Sequence, residues 1–224
     1  MKRSEINERM QAAETFFAAM SFALPPWAYR SPEEWKGRYA IDAEIADNGL
    51  GWDLTDFGSG DFARRGLLLF TLRNGAPGRG GKSYAEKIMI VEEGQETPFH
   101  FHWSKMEDII VRGGGKLVLE LHGSTKDEKL STGGIEARID GELRSVRAGE
   151  RVVLEPGQSI CLEQGVYHRF YGETGAGRVL VGEVSAVNDD RVDNRFLEAI
   201  GRFPQVEEDE SPRHLLVSDY GSYL

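Results

Sequence analysis

The sequence predicts a mainly β protein, a single small barrel or sandwich with helices at its N-terminal end. Three observations carry that expectation. From Leu67 onward the chain is a succession of short apolar and β-branched segments broken by glycine turns. The 27 glycines and a hydrophobic fraction of 40% suit a β-rich fold with many tight turns. Helical spacing of apolar residues is concentrated before residue 50. At 224 residues the chain is long enough for one core of good size, and it shows no internal repeat at a fixed period. The expectation is one unit over 1–224, with a helical extension at about 1–50 and a helix and tail at about 190–224.

The elements follow in order. Residues 4–20 read as a helix: Ser4 can cap it, and Ile6, Met10, Ala13, Phe17 and Met20 recur at helical spacing. Residues 24–29 read as an extended linker whose aromatics pack on the barrel. A second helix starts at Ser31, with Pro32 at the first helical position and Glu34 completing a capping box, and ends at Asn48-Gly49. Strands are expected at 67–72, 85–91, 99–102, 108–111, 117–121, 135–139, 151–154, 159–162, 167–171 and 179–185. Residues 193–200 read as a last helix, and 207–210 as a solvated acidic run. The loop 75–82 is rich in glycine and carries Arg79 and Lys82, so it could cradle a phosphate. Gly81-Lys82-Ser83 leads into a strand, not a helix, so a hairpin loop is the better reading.

The chemistry concentrates between Gly94 and Gly114. His100 and His102 are two apart, so on a strand both imidazoles face one side while Phe101 faces the other. Glu107 opens the next β-branched segment, and an antiparallel neighbour can return its carboxylate beside the imidazoles. His168, in the alternating segment Val166-Tyr167-His168-Arg169-Phe170, can close the set. Three histidines and a glutamate are what one divalent ion needs from the inside of a small barrel. His122 and His214 lack such a frame and read as surface histidines.

A proton-transfer group must accompany such an ion in most carbonyl chemistry. Lys105 lies two residues before Glu107, near the ion whatever the turn geometry, and could donate to a substrate oxygen or shuttle a proton. Glu198 sits in the apolar run Phe196-Leu197-Glu198-Ala199-Ile200 and is the leading candidate base, with Asp190 and Glu183 as rivals. Whether Lys87 lines the interior is not decided by strand parity.

The two histidine-bearing stretches resemble the two cupin motifs, which implies a cupin barrel, the double-stranded β-helix or jelly roll. The first motif is matched at every position. In the second, Glu163 stands where the family usually has proline, and Gly172 where it often has asparagine; neither position is a ligand. The resemblance goes further. His100-Phe101-His102-Trp103-Ser104-Lys105-Met106-Glu107-Asp108-Ile109-Ile110 looks like the D-lyxose ketol-isomerases. So do Leu24-Pro25-Pro26, Asn48-Gly49-Leu50-Gly51-Trp52-Asp53, Tyr84-Ala85-Glu86-Lys87-Ile88-Met89, Val181-Gly182-Glu183-Val184-Ser185 and Asn194-Arg195-Phe196-Leu197-Glu198. This implies a manganese-dependent aldose–ketose isomerase that interconverts D-lyxose and D-xylulose, and D-mannose and D-fructose, as a homodimer. Cobalt, zinc or iron also suit the ligand types. The alternatives are another metallo-enzyme of the same architecture, such as a sugar-phosphate isomerase or iron oxygenase, and a non-catalytic sugar-binding protein.

Composition narrows the partners. With 37 acidic against 27 basic residues the net charge is −10, which disfavours nucleic acid and anionic membranes. A small-molecule sugar is the expected partner. The single cysteine, Cys161, allows no intramolecular disulfide and reads as an inert thiol in the core. No apolar run reaches the length of a membrane span, and the expected location is the cytoplasm.

Overall fold

The computed structural model describes residues 1–78, 81–187, 189, 192–201 and 204–224. The first helix, α1 (Arg3–Ala19), buries Ile6, Met10, Ala13 and Phe17, the stripe that predicted it. Its cap is Lys2, not Ser4: the Glu5 carboxylate reaches back to accept from the Lys2 amide at 2.9 Å. The expected linker instead forms a short 3-10 turn, Pro26–Tyr29, and its Trp27 packs on Phe70 with ring centroids 5.0 Å apart. The expected second helix is two helices, α2 (Pro32–Trp35) and α3 (Tyr39–Asp47). Gly37 separates them at φ +69°, a left-handed conformation that stops a helix and that glycine adopts without penalty.

Thirteen strands are named among the described residues: β1 (Gly51–Thr55), β2 (Leu67–Arg73), β3 (Tyr84–Val91), β4 (Thr97–His102), β5 (Glu107–Gly114), β6 (Leu117–Gly123), β7 (Ile135–Ile139), β8 (Glu142–Val146), β9 (Arg151–Leu154), β10 (Ser159–Leu162), β11 (Val166–Gly172), β12 (Val179–Ala186) and β13 (Asn194–Phe196). They form two antiparallel sheets, an eight-stranded one in the order β1-β2-β3-β12-β5-β10-β7-β8 and a five-stranded one in the order β13-β4-β11-β6-β9. The inner faces share a core that includes Met89, Val111, Leu119, Leu121, Ile160, Phe170 and Val181. The outer face of the larger sheet, with Trp52, Leu54, Leu68, Phe70, Ile88 and Ile90, packs on Ile6, Met10 and Phe17 of α1. Because β2 and β3 are covered on both sides, their stretches 67–70 and 88–91 read as unbroken apolar runs and not as alternation.

Three strands were not legible. β8 is exposed except for Val146, so no hydrophobic period marks it. β1 is five residues with a polar inner face, and β13 is three residues long. The last of these replaces the helix expected at 193–200. Asn194, Arg195 and Phe196 pair with His102, Phe101 and His100, and the Leu197 amide donates to Phe99 O at 2.9 Å. The open edge of β4 offers backbone partners that outweigh the local helical spacing.

The acidic run at 207–210 is also more than a solvated surface. Arg3, 1% exposed, donates through Nε and Nη2 to Glu208 and through Nη1 and Nη2 to Asp219 at 2.7–3.0 Å. The Ser4 amide and hydroxyl donate to Asp209, and Asn7 donates to Glu210. His214 is buried, not on the surface. Its Nδ1 lies 3.0 Å from Arg30 O, its Nε2 2.7 Å from Glu14, and its ring stacks on Trp52.

Candidate active site

β4 and β11 are neighbours in the five-stranded sheet, and His100 stands directly opposite His168. His102 lies two residues along on the same face. The His100 Nδ1 is 2.8 Å from Pro98 O and the His168 Nδ1 is 3.0 Å from Val166 O, each a carbonyl two residues back on its own strand. A carbonyl only accepts, so each Nδ1 carries the proton and each Nε2 keeps its lone pair. The ligand atoms of the three rings lie within 4.8 Å of one another, an arrangement that could hold a metal ion. Both ring nitrogens of His102 and the Nε2 of His168 are buried with no hydrogen-bond partner among the described residues. Such orphaned ring nitrogens are costly to bury, and those that keep a lone pair are satisfied by a positive ion. Burial, then the neighbouring His168 and His102, hold the His100 pKa well below the ordinary histidine range, in the neutral form that ligates.

The carboxylate comes from the opposing sheet. Glu107, the first residue of β5, places Oε1 3.2 Å from His168 Nε2 and 3.5 Å from His102 Nε2. Its Oε2 lies 2.6 Å from the Lys105 ammonium. Burial alone would raise the Glu107 pKa, but the Lys105 charge and then His102 bring it well below the carboxylate range. Lys105 also donates to Glu183 Oε1 at 2.9 Å, and Lys87 donates to the same oxygen at 3.1 Å. Lys87 and Glu183 are direct cross-strand partners on β3 and β12. All four charged groups are buried, which is tolerable because each is paired. The turn that carries Lys105 is clamped by Asp193, whose carboxylate accepts from the Ser104 amide (2.8 Å), the Ser104 hydroxyl (2.6 Å) and the Lys105 amide (3.0 Å).

Beside this cluster lies a cavity of about 260 Å³, smaller than the roughly 300–1,000 Å³ of pockets for drug-sized ligands and suited to a small molecule. His100, His102, Lys105, Glu107, Lys87 and Glu183 line its polar part, and Leu67, Leu69, Met89, Ile109, Phe170 and Phe196 its apolar part. Phe196 stacks on His100 with centroids 5.1 Å apart.

The five residues His100, His102, Lys105, Glu107 and His168 thus converge as their spacing suggested. Glu198 does not join them. Its side chain is 63% exposed, pairs with Arg65 at 3.0 Å, and forms no part of the cavity wall. The strand conformation of β13 turns Asn194 and Phe196 inward, and Ile200 and Gly201 return to the cavity wall, but Glu198 between them points out to Arg65. Asp190 lies outside the described residues, and Glu183 is the candidate carboxylate the structure brings in. Glu183 had a signal of its own, a lone charge in an apolar strand, whereas Lys87 stands beside Glu86 and had none. Asp193, Asn194 and Phe196 had none, because their part was hidden by the helical reading.

Other candidates resolve simply. Gly172 fills the position where asparagine is common because a Cβ there would stand 2.6 Å from Glu92 O. Cys161 is half-buried, not in the core, and burial followed by Asp108 pushes its thiol up to about 11, leaving it inert. His122 is half-buried, with Nδ1 3.1 Å from Ser131 O. In the glycine loop, Arg79 lies outside the described residues and Lys82 pairs with Glu44.

Comparison with known proteins gives a consistent result. A family model described as D-lyxose isomerase matches residues 1–220. The D-lyxose/D-mannose isomerase of Serratia proteamaculans is 50% identical over 230 residues, with the whole of each chain covered. That of Escherichia coli O157:H7 is 47% identical over 227 residues, again with full coverage of both. Among solved structures, the L-ribose isomerase of Cellulomonas parahominis aligns with a TM-score of 0.62 over 92% of this chain and 98% of that one. At 17% identity that likeness is one of fold.

Proposed function

Since the chain belongs to the D-lyxose isomerase family and is an aldose–ketose isomerase, we propose that it interconverts D-lyxose with D-xylulose and D-mannose with D-fructose by proton transfer between C1 and C2 through a cis-enediol. The observation that carries this reading is the meeting of three buried imidazoles, two of them in the wall of one small cavity, with the Glu107–Lys105–Glu183 chain of charges.

The residues fit a divalent ion. The orphaned nitrogens of His102 and His168, the neutral His100 and the Glu107 oxygen nearest two of them form an N3O donor set. Held by His100, His102, His168 and Glu107, such an ion supplies Lewis-acid stabilisation of negative charge developing on the sugar oxygens. Manganese is our first choice, on the family resemblance; iron, cobalt and zinc also suit these donors.

The chain's own groups do the rest. Glu183 takes the proton from one carbon and returns it to the other; its support is its place in the cavity wall. Lys105, between the two carboxylates, donates to the substrate oxygen from which charge must be drained. Lys87 holds Glu183 from the other side. Phe196, Phe170 and Ile109 keep bulk water from the exposed enediol. Within the described residues no helix is long and apolar enough to cross a membrane. We place the protein in the cytoplasm as a homodimer, on its lone cysteine and the family resemblance respectively.

Metal removal tests this directly. Chelation is expected to abolish conversion of D-lyxose to D-xylulose, and reloading with manganese, cobalt, zinc or iron to restore it to different degrees. Full turnover by a demonstrably metal-free preparation would refute the reading.

A further inference from the structure

Two buried polar atoms on residues of the cavity wall, Thr97 Oγ1 and Asn194 Oδ1, lack a hydrogen-bond partner of their own among the described residues. Neither points inward by accident. Along β4 the partner of His100 is His168 and the partner of Thr97 is Phe170, so two residues of β4 lie opposite the single Arg169. That extra residue is a β-bulge, and it reverses the alternation. Without it Thr97, three positions from His100, would face outward with Phe99 and Phe101; with it, Thr97 and His100 share the inner face. Asn194 gains its direction from pairing: it stands opposite His102 on β13, as Phe196 stands opposite His100. The two side chains therefore flank the histidine cluster along β4, Asn194 at the His102 end and Thr97 beyond His100.

A buried hydroxyl and a buried amide oxygen left without partners are costly in a folded protein unless a ligand satisfies them. We propose that Thr97 and Asn194 hydrogen-bond the sugar hydroxyls carried on carbons beyond the reacting C1–C2 pair, and so determine which aldoses are accepted. This rests on the isomerase reading. It adds the part of the site that reads stereochemistry, as distinct from the part that moves the proton. A site built to meet a hydroxyl discriminates strongly against a sugar that lacks it or presents it on the other face, because the protein group is then left unpaired.

Thr97→Val tests the proposal, since it keeps the shape and removes only the hydroxyl. For a hydroxyl with no partner in the free protein, the melting temperature is expected to hold or rise. KM for D-lyxose is expected to rise about ten-fold with kcat little changed, as for a contact kept equally in ground and transition states. With a panel of analogues each lacking one distal hydroxyl, one analogue should show no penalty from the substitution, which identifies the hydroxyl Thr97 binds. Asn194→Leu should raise KM likewise, with a different analogue insensitive to it. An active wild type alongside a Thr97→Val variant with wild-type KM on every analogue overturns the assignment. So does a lowered melting temperature with unchanged KM, which would make the hydroxyl structural. Inactivity of the metal-loaded wild type toward D-lyxose overturns the isomerase reading, and this assignment with it.

Discussion

At the scale of single residues, the proposed site separates groups that would hold an ion from groups that would touch the sugar. Glu183 has the position of a base and Glu198 does not, so their variants should diverge. Glu183→Gln is expected to keep the metal and lower kcat by roughly 10²–10⁴, the usual share of a general base. Proton exchange with solvent at C2 should fall with it. Glu198→Gln, which breaks an exposed pair with Arg65, should turn over at close to the normal rate. Metal content, steady-state kinetics and deuterium incorporation measured on both variants decide the matter; equal activity of the two would remove Glu183 from the role. The paired imidazoles of His100 and His102 were legible because a strand puts i and i+2 on one face, a local rule. The proposed base was legible only as one of three carboxylates, because the direction of Glu198 depends on which sheet edge the chain meets before it.

At the scale of elements, the misread segment is informative. Residues 193–200 have apolar spacing compatible with a helix, yet β13 takes an extended form along β4 and ends in a backbone bond to Phe99. No local pattern records an unpaired edge a hundred residues away. The helix pair α2 and α3 failed for the opposite reason, since Gly37 was a visible stop signal inside one apparent helix. A second element depends on charge. Glu14 of α1 accepts from Arg213 and lies against His214. Burial would raise its pKa, but Arg213 and His214 lower it below the ordinary value of 4.5. The folded state then binds a proton at Glu14 less readily than the unfolded chain. Its stabilisation is complete above about pH 4.5 and is lost as pH falls through the depressed value. Thermal melts from pH 7 to pH 3 should show a steeper loss for the wild type than for Glu14→Gln. Parallel curves would mean that the contact does not couple to folding.

At the scale of the whole molecule, the outer face of the large sheet depends on α1, and α1 is fastened by the far end of the chain. Arg3 is nearly inaccessible and shared between Glu208 and Asp219, whose side chains are 56% and 13% exposed. Asp219 is the better shielded partner, so its loss should matter more. Asp219→Ala leaves a buried guanidinium half-paired and should cost up to about 3 kcal/mol, whereas Arg3→Met, which removes the charge as well, should cost less. Urea unfolding of the two variants gives the order directly, and the reverse order would show that the charge itself is not the liability.

The same fastening sets an order of events during synthesis. Arg3 and Glu208 are 205 positions apart. At roughly 5–20 residues per second, the ribosome delivers the anchor on the order of 10–40 s after the helix it anchors. Until β2 and β3 emerge the apolar stripe of α1 has no sheet to cover it, and until Glu208 and Asp219 follow it has no clasp. The nascent chain can assemble its histidine cluster only after β11 appears, and its N-terminal layer last of all. Helix α1, made before the barrel, is thus among the last elements to become native.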